Sequence, residues 1–149
     1  MNPTSVCLLL QVALAGIALI GAIIFIIMLV AQHFYPSKLE IHNELEGKTG
    51  PYFLSAAQAL SAFAYILCSF YIYSRDSMIR IGAGVSTLIA ASLWAFAFYQ
   101  HSVTRWIYLA IPVANVAFYV LCWYADKDTQ FIFDETAQLR SLTYRYKKL

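Results

Sequence analysis

Apolar residues along this chain gather into four long runs, at about residues 8–32, 52–74, 79–100 and 106–125, whose one Asp, Glu, Lys or Arg is Arg80 near the start of the third. A helix rises about 1.5 Å per residue, so roughly twenty residues cross the ~30 Å hydrocarbon layer of a bilayer. Each run meets that length. The pattern predicts an all-α integral membrane protein, an antiparallel four-transmembrane-helix bundle. Residues 1–125 would form one four-span membrane domain, and residues 126–149 a cytoplasmic amphipathic tail. The connections between the second, third and fourth runs are short, which favours up-and-down neighbours.

Position within each run predicts which face turns inward. Lipid supplies no hydrophobic drive for helix pairing, so small residues that allow close backbone approach, and polar side chains that seek one another, mark buried faces. In the first run Gln11, Ala15, Ala18 and Ala22 recur at three and four, opposite a lipid-suited group of Ile23, Phe25, Ile26, Ile27 and Leu29. The second offers Ser55, Gln58, Ala59, Ala62 and Ser69. The third has Ala83, Thr87, Ala91 and Ala95 at strict fours beside Gly82, Ser86 and Ala90. The fourth has Tyr108, Pro112, Asn115, Tyr119 and Cys122. Gln11, Gln58 and Asn115 are the expected polar groups of the bundle interior. Pro112 lacks an amide donor and displaces the carbonyl four residues earlier, which predicts a kink. An amide without partners is costly in hydrocarbon, so Asn115 is expected to bond Gln58, a serine or the backbone freed by Pro112.

Composition places the chain in lipid rather than water. Of its 149 residues 61% are hydrophobic and 12% charged, against about 25% charged in a soluble domain. The first run is far longer than the core of a cleaved signal peptide and has no Lys or Arg before it, so it reads as a retained span. Counting Lys and Arg in the flanks sets Lys38, Lys48 and Arg105 against Arg75, Arg80, Lys127, Arg140, Arg145, Lys147 and Lys148. The richer side faces the cytoplasm by the positive-inside rule, so both termini are expected there. Trp106, Tyr108, Trp123 and Tyr124 bracket the fourth run as interfacial anchors would.

Outside the runs, residues 36–51 alternate Leu39, Ile41 and Leu45 with charge before Gly47, Gly50 and Pro51, a short amphipathic turn on the outer face. In the tail, Phe131, Phe133, Leu139, Leu142 and Tyr146 are spaced among Asp134, Glu135, Arg140 and Arg145 as in an imperfect amphipathic helix. Arg145, Lys147 and Lys148 would meet anionic lipid at the membrane surface.

Reactive chemistry is sparse. Cys7, Cys68 and Cys122 form no CxxC pair and read as small hydrophobes. His33, His42 and His101 all fall on the expected outer side, where a metal or a haem iron would be the sharpest site they allow. No cofactor is implied, and with no Gly-rich phosphate loop or long basic run no nucleic-acid partner is either. The leading expectation is a non-enzymatic protein that binds another membrane protein, or further copies of itself, within or beside the bilayer. It would serve as an accessory or assembly subunit, or as a protective protein of the immunity or exclusion type. A subunit of a small-solute or ion transporter or channel is the first alternative, with Gln11, Gln58, Asn115 and the Pro112 kink along the path. A membrane enzyme or redox subunit using the outer histidines is the second.

Overall fold

A computed structural model describes residues 3–35, 51–101 and 110–146, with the side chains at 3–5, 7, 51, 100–101 and 140–146 outside that description. The described residues form helices α1 (Pro3–Phe34), α2 (Pro51–Ser74), α3 (Ser77–His101) and α4 (Ala110–Tyr146) in an all-α antiparallel arrangement. Three of them hold segments long and apolar enough to cross a membrane: Leu8–Phe34, Tyr52–Ser74 and Ser77–Tyr99. That points to a multi-pass membrane protein. The described part of α4 is less apolar, because Pro112, Asn115, Asp126 and Lys127 dilute it, and residues 106–109 of the expected fourth run lie outside the described residues.

The α2–α3 connection shows how the sequence turns the chain. Arg75 adopts φ 52°, and its amide donates to the Tyr71 carbonyl at 2.9 Å, closing α2 with a left-handed residue of the kind that glycine usually supplies. Asp76 then caps α3, its Oδ1 accepting from the Met78 amide at 2.9 Å. This tight turn sets α2 and α3 side by side. It also defines the turn end of the bundle, opposite a far end at Phe34, Pro51 and His101.

Two clusters fill the interior. Toward the turn end Leu14, Ala15 and Ala18 of α1 meet Cys68 and Ile72 of α2, Ala83 of α3, and Phe118, Cys122 and Ala125 of α4. Toward the far end Phe25 packs with Leu54, Ala57, Ala62, Trp94 and Phe98. Between them a run of aromatic rings crosses the bundle, Phe25 to Tyr65 at 5.8 Å and Tyr65 to Phe118 at 5.1 Å between centroids. A Cβ at Gly21 would stand 2.9 Å from the Tyr65 ring. Only glycine lets that ring lie on the α1 backbone.

Packing revises the expected faces. Ala15, Ala18 and Ala22 are buried as their spacing implies, but so is Phe25, which was assigned to lipid. Ala59 and Ala95 face outward. A strict four-residue step advances about 40° per step beyond a whole turn, so by Ala95 the stripe begun at Ala83 has rotated about 120° off the core. The buried line of α3 instead follows the true helical period through Ala83, Ser86, Thr87, Ala90, Trp94 and Ala97.

Candidate functional site

Polar side chains gather at two levels of the bundle. The first centres on Ser61, which is fully buried. Its Oγ donates to the Ala57 carbonyl at 2.9 Å and accepts from Trp94 Nε1 at 3.1 Å and from Asn115 Nδ2 at 3.1 Å. A hydroxyl has one proton and two lone pairs. All three are in use, and the knot ties α2, α3 and α4 together where burial keeps water from substituting.

The second level lies where α4 passes the α2–α3 turn. Asp126 is buried although α4 is solvent-rich on its other faces, with Lys127 and Asp128 exposed beside it. Its Oδ2 accepts from Tyr71 Oη at 2.5 Å and from Gln130 Nε2 at 3.1 Å. Its Oδ1 lies 4.0 Å from Arg75 Nε, and the Arg75 guanidinium sits 5.2 Å above the Phe133 ring. Arg80 reaches the Tyr71 hydroxyl from α3. One turn further along α4, Thr129 Oγ1 donates to the Ala125 carbonyl at 2.6 Å and accepts from Gln11 Nε2 of α1 at 3.5 Å. Carboxylate, phenol, guanidinium and amide therefore fasten this part of α4 to α2, to the α2–α3 turn and to α1.

Beyond that fastening the helix does not stop. α4 runs unbroken from Ala110 to Tyr146, across the expected boundary between membrane domain and tail at residue 125. From Asp126 to Tyr146 its length is about 30 Å. Asp128, Phe131, Glu135 and Leu139 recur at three and four along one exposed side of this segment, with Phe131 61% and Leu139 64% exposed.

The structure places the expected site residues as follows. Gln58 is buried in α2 with interactions of its own, Asn115 is buried and bonded to Ser61, and Gln11 reaches Thr129. Pro112 is buried in the first turn of the described α4, while Tyr108, whose carbonyl it would displace, lies outside the described residues. His33 is exposed at the end of α1, edge-on to Phe34 at 5.3 Å. His42, Lys147 and Lys148 lie outside the described residues, as do the side chains of His101 and Arg145. Among the described residues no three His, Cys, Asp or Glu side chains gather as metal ligands do. Cys68 and Cys122 are free, buried and in side-chain contact across α2 and α4.

Sequence reasoning missed Ser61, Tyr71, Asp126 and Thr129. The signal for two of these was present: the inward line Pro112, Asn115, Tyr119, Cys122 continues at the same spacing through Asp126 and Thr129. Compared with known proteins, the chain matches no family model, no curated protein and no solved structure.

Proposed function

We propose that this is a non-enzymatic multi-pass membrane protein that works by binding another protein within or beside the bilayer, as an accessory, assembly or protective subunit. The observation that carries this reading is the unbroken α4, held by Asp126 at its root and displaying Asp128, Phe131, Glu135 and Leu139 beyond it. A helix with spaced apolar anchors among charges is a recurrent form of protein recognition. With α4 as the fourth span and both termini cytoplasmic, this display lies at the cytoplasmic face. The polar groups that a solute path would use are instead engaged in holding helices together, Asn115 with Ser61 and Gln11 with Thr129.

The test is purification of the full chain from its own membranes in mild detergent, with identification of what accompanies it. A defined partner is expected at constant stoichiometry. Phe131→Asp combined with Leu139→Asp is expected to release that partner while the bundle keeps its helicity and thermal stability. A chain that runs as a lone monomer, or a partner that survives the double substitution, overturns the proposal.

A further inference from the structure

Around the bundle, α1 pairs closely with α2, α2 with α3 and α3 with α4, whereas α1 and α4 touch far less. The seam they leave holds a cavity of about 290 Å³. Its walls are Gly21, Ile24 and Phe25 on α1 and Ile111 and Ala114 on α4, with the Tyr65 ring of α2 as floor. The ring is clasped between Phe25 and Phe118 and seated on Gly21. Ile24 and Ala114, on opposite lips, are exposed, so the cavity opens sideways between α1 and α4.

We infer that this seam is a binding site for one acyl chain of a membrane phospholipid. Depth supports this occupant. Gly21 lies at the middle of the Leu8–Phe34 segment, and Tyr65 close to the middle of Tyr52–Ser74, so the opening meets the hydrocarbon centre of a bilayer. Size excludes a helix from a second copy, because a helix with its side chains is about 10–12 Å across. A volume of about 290 Å³ is that of roughly ten water-sized groups at ~30 Å³ each. The distal half of a long acyl chain is of that order and needs no hydrogen-bond partner. Lining chemistry agrees: Asn115 is the one amide on the wall, and its Nδ2 is already committed to Ser61. An empty apolar cleft would forfeit dispersion contacts on both sides, and a flexible chain recovers them where a rigid side chain from a neighbour fills only a part.

The experiment uses the full chain reconstituted in vesicles of phosphatidylcholine that carry a diazirine at the end of one acyl chain, with adducts mapped by peptide mass spectrometry. Labelling at Ile24, Ile111 and Ala114 is expected to exceed that at the outward-facing Ile20 and Ile27 by several-fold. Ala114→Phe is expected to fill the seam and reduce the Ile24 adduct several-fold, with Ile20 and Ile27 unchanged. If that variant does not fold, Ile24→Phe is read at Ile111 and Ala114. Labelling that is uniform along α1, or unchanged by either filling substitution, overturns the inference. Protection of the seam together with a disulfide-linked dimer of Ala114→Cys places a second copy there and overturns it as well.

Discussion

Replacing one hydroxyl at the centre of the bundle tests whether its polar contacts hold the fold. Ser61→Ala removes Oγ and leaves Trp94 Nε1 and Asn115 Nδ2, each now 3.1 Å from the vacated position, without their acceptor. Trp94 is 1% exposed and Asn115 5% exposed, so water does not replace it. Interhelical hydrogen bonds in membrane proteins average about 0.6 kcal/mol and reach about 1.7. Two of them give an expected loss of about 1–3 kcal/mol, with the upper part favoured because both donors are left buried. The bond from Ser61 to the Ala57 carbonyl adds little, since it closes within one helix. Ser92→Ala is the control: its hydroxyl is exposed and bonds only back to the Leu88 carbonyl of its own helix at 2.8 Å, so a change within about 0.5 kcal/mol is expected. Equilibrium unfolding in mixed micelles of rising dodecyl sulfate content measures both. In a Trp94→Phe background the cost of Ser61→Ala should fall by about half, because one of the two orphaned donors is already gone. Equal stability of Ser61→Ala and Ser92→Ala, or an undiminished cost in the Trp94→Phe background, refutes the reasoning.

At the root of α4, Asp126→Ala strands the buried Tyr71 hydroxyl, while the exposed Gln130 amide turns to water, and is expected to cost about 1–3 kcal/mol in the same unfolding assay. Arg75→Ala is expected to cost under about 1 kcal/mol, since its side chain is 35% exposed and its nitrogen only 4.0 Å from the carboxylate. Gly21→Ala drives a methyl to 2.9 Å from the clasped Tyr65 ring and is expected to destabilise by about 1–3 kcal/mol, whereas Gly16→Ala meets nothing within 4 Å and should be neutral or slightly stabilising by melting temperature. In a Cys7→Ser background, Cys68 and Cys122, 2% and 1% exposed, should resist maleimide in mild detergent and react fully after denaturation; rapid labelling of the folded protein would contradict their burial.

The helices were legible because a bilayer imposes a length and a polarity on whatever crosses it, and residues 8–32, 52–74 and 79–100 carry both in plain view. Faces were legible where the repeat kept helical period, as at Ala15, Ala18 and Ala22. They were misread where strict spacing of four was taken for a face, because Ala83 to Ala95 drifts around the helix while Trp94 and Ala97 stay inside. Phe25 was misread for a different reason. A large aromatic on a span suits lipid by composition, and only the absent side chain of Gly21, one turn away, makes room for the Tyr65 ring that Phe25 packs against.

Asp126 is the most instructive miss, because a charge after an apolar run reads as the end of a span. Its chemistry satisfies that reading and its position does not: it stands on the inward line of α4, one turn after Cys122, opposite Tyr71 and beside the turn that delivers Arg75. A carboxylate at that place costs desolvation that only well-placed donors offset. Those donors come from α2, from the turn after it and from α4 itself, so Asp126 ties α4 to the turn end of the bundle. An apolar residue at that place would close the core with no such demand. The fastening is intelligible where the direction of the helix beyond residue 126 matters, as it does when that helix presents a binding face.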